Sequence, residues 1–283
     1  MIPAIIISLS SIIIIAVIYI FLTMPRVFDP ANMDLLVTNY AHRGLHDGDT
    51  PENSLAAYSK AIEEGYGIEI DVQLSSDGEI FVFHDSSLER MCGVQKKLHE
   101  LTAKELKELR LKGTDEQIPT LSEVLALVDA QVPLLIEVKY YFETKKLCES
   151  LVEPLDAYYG SFAIQSFDPK VLRYFKKHRP RFARGQLVDK PDKKSKAKKT
   201  EQKKKKKSTN PFVKFLLNHL LLNVLSRPDF ISIKNNHTRE LGFVLATEVF
   251  KAKAFIWTVR SEKQHLFFRR QGYFSIFENI KPE

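Results

Sequence analysis

The sequence predicts an α/β fold, a closed (β/α)8 barrel preceded by a single N-terminal transmembrane helix. Three observations carry that expectation: a charge-free apolar run at the start, eight short β-rich segments, and helical patterns between several of them. At 283 residues the chain is long enough for one such barrel. Its 44% hydrophobic content supports a sizeable core. An open sheet accounts less well for eight strands joined mostly by helical crossovers.

Taken in order, residues 1–24 read as the membrane anchor. No charged side chain falls within residues 2–25. A helix crossing the hydrocarbon core needs about 20 apolar residues, each adding about 1.5 Å of rise. The competing reading is a cleaved signal peptide, which wants a basic start and a short apolar region ending in small residues. Here no Lys or Arg precedes the run, and Phe21-Leu22-Thr23-Met24 makes a poor cleavage site. The first basic residue is Arg26, after the helix, so the positive-inside rule favours a single-pass protein with its domain on the cytoplasmic side. Residues 25–36, with Pro25 and Pro30, read as a juxtamembrane linker, and 37–283 as the barrel domain.

Candidate strands lie at 36–41, 68–74, 80–84, 133–139, 161–166, 182–188, 229–234 and 254–259. Asn53-Ser54 before Leu55, Tyr58, Ala61 and Ile62 predicts a capped amphipathic helix. Thr102 with Glu105, and Thr120 with Glu123, are capping boxes that open two more.

The net charge of +7 is unevenly placed. Between residues 190 and 207 eleven Lys stand against Asp192 and Glu201, so the rest of the chain is near −2. The basic balance therefore belongs to a Lys-rich loop insertion at 190–210, and a nucleic-acid-binding domain is excluded. Two readings of the tract stand: a solvated surface loop, or contact with an anionic membrane. Phe212, Phe215, Leu216, Leu220, Leu221 and Val224 then mark an apolar helical face, packed on the barrel or lying on lipid. Cys92 and Cys148 read as two free, structural thiols, since two cysteines make no disulfide framework.

The residues with chemical potential sit at predicted strand ends, where barrels place their catalytic groups. His42-Arg43-Gly44 closes the first strand, joining a proton-transfer group to a planar cation that can grip phosphate oxygens. Pro51-Glu52-Asn53-Ser54 follows. Glu69 and Asp71 share one face of an apolar strand by alternation, where two buried carboxylates need a partner, a proton or a cation. The bland alternative has them facing solvent from an edge strand. His84 ends the apolar run Ile80-Phe81-Val82-Phe83. A hairpin centred near Ser76-Asp77 would set it opposite Glu69, although a core histidine is the competing reading. Glu137 in Leu134-Leu135-Ile136-Glu137-Val138 shares a face with Lys139, as a structural ion pair or as a third carboxylate beside a phosphate-binding Lys. Gln165 and Trp257 add a polar group and an aromatic wall, or plain structure.

In this order, His-Arg-Gly, Pro-Glu-Asn, Glu-Ile-Asp-Val, Phe-His-Asp, Ile-Pro-Thr-Leu at 118–121, Ile-Glu-Val-Lys and Trp-Thr-Val resemble the glycerophosphodiester phosphodiesterase family. The resemblance runs from about residue 37 to 259 with a weaker tail. It implies a TIM-like barrel that hydrolyses a glycerol phosphodiester to glycerol 3-phosphate and an alcohol. It further implies a divalent cation, Mg²⁺ or Ca²⁺, on Glu69, Asp71 and Glu137, with His42 and His84 as the acid–base pair. Arg43 and Lys139 would contact phosphate, and Glu52 would complete the site as a ligand or histidine orienter; Gln165 and Trp257, read from their strand ends, are the candidate pocket residues. Three departures stand out: the Lys-rich insertion, Arg260 where many relatives have Asn, and a tail without the usual Thr-Asp pair before Pro282. Two other readings remain. One is a lipid-directed phosphodiesterase acting on lysophospholipids or glycerophosphate polymers, and the other a tethered phosphate-binding protein without turnover.

Overall fold

The computed structural model describes residues 2–28, 31, 33–189 and 210–283, with side chains of the N-terminal helix described from Leu9. Pro30 of the expected linker and the Lys tract at 190–207 lie outside the described residues. Among the described residues nine strands follow in chain order: β1 (Tyr40–His42), β2 (Gly67–Leu74), β3 (Ile80–Val82), β4 (Leu134–Val138), β5 (Phe162–Ser166), β6 (Ala183–Val188), β7 (Phe230–Lys234), β8 (Lys253–Val259) and β9 (Phe274–Phe277). All but β3 run parallel, and β1 pairs with both β2 and β9, closing an eight-stranded barrel.

Alternation divides each strand between two environments. Ile68, Ile70 and Val72 of β2 and Leu134, Ile136 and Val138 of β4 join the core between sheet and helices. Their neighbours turn inward and form two layers. The lower layer is apolar: Tyr40, Leu135, Ala163, Ala183, Phe230, Phe255 and Ile276 pack together, with Tyr40 and Phe230 edge-on to Phe255. Gly185 is required here, because an added Cβ would stand 1.9 Å from the Phe230 ring. Met33 and Leu36 seal this layer from below, so part of the expected linker belongs to the domain. The upper layer, toward the C-terminal strand ends, holds His42, Glu69, Asp71, Glu137, Gln165, Ser232 and Trp257, with His42 paired to Glu69, Asp71 to Glu137 and Glu137 to Gln165.

Two strand expectations need correction. The segment 80–84 is not a barrel strand: β3 is antiparallel to β2, pairing Val82 with Val72 and Ile80 with Leu74. It leads instead into a small annex in which Phe81, Phe83, Leu88, Met91, Leu98, Leu106 and Ile118 share their own core. The barrel is closed by β9, a strand absent from the predicted set. The three predicted caps are present, with Ser54, Thr102 and Thr120 accepting from the backbone N–H groups of Ala57, Glu105 and Glu123. Cys92 and Cys148 are free thiols.

A helix spans Ile2–Thr23, yet among the described residues no helix is long and apolar enough to cross a membrane. The transmembrane span expected at 1–24 is thus not supported. The described side chains begin at Leu9 and give fewer than the roughly 20 residues a crossing requires. Its last turn is tied to the domain: Asn223 donates to the Thr23 carbonyl at 2.9 Å, and Arg227 donates to the carbonyls of Phe21 and Met24 at 2.8 Å. The apolar face expected across 212–224 is divided, for Leu220 and Leu221 are buried while Phe212 and Phe215 are exposed.

Candidate active site

Glu69 and Asp71 enter the barrel from β2 and Glu137 from the neighbouring β4, with Asp71 and Glu137 directly paired in the sheet. All three are buried, and an oxygen of each lies within 4.8 Å of the others. Like charges about 4 Å apart repel by about 4 kcal/mol at an effective dielectric of about 20. The protein offsets part of this. Lys139, itself buried, holds Asp71 Oδ1 at 2.7 Å and Glu137 Oε1 at 2.5 Å. Arg43 Nε stands 3.6 Å from Asp71 Oδ2, and Asn53 donates to that oxygen at 3.0 Å.

Among the described residues, Glu69 has no such cation in contact. It accepts from the Arg43 backbone N–H at 3.2 Å and from Gln165 at 3.4 Å, and His42 Nε2 lies 3.9 Å away. The acidities follow. Burial, then repulsion from Asp71 and Glu137, holds the Glu69 carboxyl well above its ordinary range. Glu137 is raised by burial despite Lys139. Burial also acts on Asp71, but Lys139, His84 and Arg43 outweigh it and keep this carboxyl well below the usual range. Three buried oxygen donors, one lacking a positive partner, fit a hard divalent cation.

The chain turns sharply after β1 to present this arm. Arg43 and Gly44 adopt φ of +60° and +84°. A Cβ at Gly44 would meet Ala57 and Tyr58 at 2.9 Å, so only glycine fits. Left-handed φ at a residue such as Arg43 costs on the order of 1–3 kcal/mol and is typical of functional sites. Arg43 donates to Glu52 at 2.7 Å, and Arg90 grips the same carboxylate at 2.7 and 2.9 Å. Glu52 thus pairs with two guanidinium groups and orients no histidine. Arg90 reaches on to Asp85 at 2.5 Å, and Asp85 contacts His84 Nδ1 at 2.7 Å. His42 Nδ1 contacts Glu278 at 2.5 Å. Burial, reinforced by Arg43 and opposed by Glu278, lowers His42 to about 4.

Of the predicted residues, the structure therefore gathers His42, Arg43, Glu69, Asp71, Glu137, Lys139 and Gln165 around one point, while His84 is held by Asp85. The hairpin register predicted for His84 is one residue out. Pairing ends at Val82, and Phe83 N–H donates to the Asp71 carbonyl at 2.7 Å, so strand alternation does not govern His84. Gln165 is held by Ser232 at 2.7 Å. Trp257 packs edge-on to Phe167 and keeps a buried indole N–H without a partner among the described residues. Sequence reasoning missed Asn53 as a contact of Asp71, although Pro-Glu-Asn contained it. It also missed Arg90 and Glu278, for which no local signal exists. A cleft of about 360 Å³, lined by Leu36, Tyr158, Phe162 and Phe182, opens beneath the barrel, away from these groups.

A family model described as the glycerophosphoryl diester phosphodiesterase family matches residues 42–279. A glycerophosphodiester phosphodiesterase of Caldanaerobacter subterraneus subsp. tengcongensis is 35% identical over 160 residues, covering 52% of this chain and 65% of the relative. Glycerophosphodiester phosphodiesterase 1 of Homo sapiens is 29% identical over 147 residues, 48% of this chain and 44% of the relative. These matches span less than two thirds of either relative. Among solved structures, an Oleispira antarctica phosphodiesterase in complex with the product sn-glycerol-3-phosphate aligns with a TM-score of 0.67 at 26% identity, over 85% of this chain and 92% of that one. A glycerophosphodiester phosphodiesterase of Thermotoga maritima aligns with a TM-score of 0.63 at 25% identity, over 85% and 93%.

Proposed function

The chain belongs to the glycerophosphoryl diester phosphodiesterase family, and from that premise we propose that it hydrolyses a glycerol phosphodiester to glycerol 3-phosphate and an alcohol. The observation that carries the proposal is the buried convergence of Glu69, Asp71 and Glu137 at the C-terminal end of the barrel. In this reading the three carboxylates hold Mg²⁺ or Ca²⁺, which when bound neutralises charge developing on the phosphate. Arg43, fixed by Glu52, and Lys139 bind phosphate oxygens. His42 presents Nε2 toward the cluster, while Nδ1 is held by Glu278. His84 is held in the same way by Asp85. One histidine removes a proton from the nucleophile, and the other donates one to the leaving oxygen. Gln165 and Trp257 line the pocket, Gln165 held by Ser232 and Trp257 packed edge-on to Phe167.

His42→Ala and His84→Ala should each abolish release of glycerol 3-phosphate from glycerophosphocholine, with the melting temperature kept. Near-normal turnover in either variant would remove that residue from the mechanism.

A lipid-directed reading has one observation in its favour. Tyr140, Tyr141 and Phe142 are exposed immediately after Lys139, giving the mouth an apolar rim. Assay of a lysophospholipid with the same preparation distinguishes the two substrates. We further propose single-pass attachment to a membrane through the N-terminal helix, with the catalytic domain on the cytoplasmic side. The charge-free run 2–25 and the exposed Ile12, Ile15 and Phe21 support it. Alkaline carbonate extraction should leave the chain in the membrane pellet, and release to the supernatant would contradict the attachment.

A further inference from the structure

We infer that Glu278 is the positioning residue of His42 and that Arg260 locks Glu278 in that role. The inference rests on the reading of His42 as a proton-transfer group. An imidazole can work in one direction only if its ring orientation and its tautomer are both fixed. The Glu278 Oε1–His42 Nδ1 contact of 2.5 Å does both, placing the proton on Nδ1 and leaving the Nε2 lone pair toward the carboxylate cluster.

Glu278 is itself immobilised from two sides. Its backbone N–H donates to the Val259 carbonyl at 3.0 Å, which fixes the end of β9 beside the end of β8. Its second oxygen accepts from Arg260 Nε at 2.7 Å and lies 2.6 Å from the terminal nitrogen Nη2. Both guanidinium contacts fall on Oε2, so Oε1 is left for the histidine. The backbone N–H of Arg260 donates to Gln264 at 3.1 Å, securing the base of the clamp.

A further observation points the same way. His84 is built on an identical plan, with Asp85 on Nδ1 and Arg90 on the far oxygen of Asp85. Each proposed proton carrier is thus backed by a carboxylate that an arginine holds. Arg260 supplies the cation that pairs with the carboxylate at 278.

The test uses the full chain in detergent, labelled with ¹⁵N-histidine, together with steady-state hydrolysis of glycerophosphocholine. In the metal-free wild type, long-range ¹⁵N–¹H correlation should show His42 protonated at Nδ1. Glu278→Gln should mix or reverse that tautomer and lower kcat by about 10–100-fold, the usual loss when a histidine's supporting carboxylate goes, with KM within about twofold. Glu278→Asp should recover part of both signals. Arg260→Leu, at a side chain 55% exposed, should broaden the His42 signals and lower kcat less than Glu278→Gln does. It also keeps the question open to test should Glu278→Gln fail to fold. An unchanged His42 tautomer in Glu278→Gln, or a rise confined to KM, would overturn the inference. A wild type that never hydrolyses the diester overturns the proposed function instead, while the tautomer measurement still decides the role of Glu278.

Discussion

Glu52 lies between the guanidinium groups of Arg43 and Arg90, and these outweigh the burial that would otherwise raise its carboxyl, holding it at about 2. A carboxyl depressed on folding stabilises the native state above its unfolded pKa, and that stability is lost as pH falls through the folded value. The window here runs from about 4.5 down to about 2. Urea midpoints of wild type and Glu52→Gln should therefore differ most near pH 7 and converge as pH drops below about 4.5. A gap that stays constant with pH would mean the carboxylate's charge is not what it contributes. At this scale the sequence was informative where alternation applied. Glu69 and Asp71 share the inward face because β2 is regular through both. His84 and Glu278 lie just past strand ends, where period-two logic lapses and tertiary contacts decide.

Among the elements, the short helix Leu121–Val128 depends on its start. Thr120 accepts from the Glu123 N–H while Glu123 accepts from the Thr120 N–H at 2.7 Å, so two otherwise unpaired donors are satisfied. Thr120→Ala should lower stability by about 1 kcal/mol, read as a shift in denaturant midpoint at constant slope. No change would show the cap to be redundant with the packing of Leu121 and Val124. Such caps were legible because they are local. The barrel strands were harder to assign. The run Ile80-Phe81-Val82-Phe83 is as apolar as a barrel strand, but it serves a hairpin and the core of the annex. Hydrophobic pattern does not separate a parallel partner from an antiparallel one. Conversely, β9 is four residues long, and its pairing to β1 makes it a strand.

Across the whole molecule, the two inward layers divide the work. Close-packed aromatics below make a rigid floor, and the ionisable groups above are held against it. Oxygens of three acids brought within 4.8 Å of one another are costly unless a cation is shared among them, and a single Lys in contact with two of the three leaves that cost partly unmet. Whether Glu69, Asp71 and Glu137 share one divalent cation is measured most directly by calorimetric titration of the metal-stripped chain with Mg²⁺ and with Ca²⁺, in wild type, Glu69→Gln and Glu137→Gln. The expected result is one site per chain for at least one cation, with stability rising by about 2.7 kcal/mol at a hundredfold excess over Kd. Binding should disappear in both variants, and EDTA should remove hydrolysis that the same cation restores. Failure of both cations to bind the wild type, or binding that survives either substitution, would contradict it.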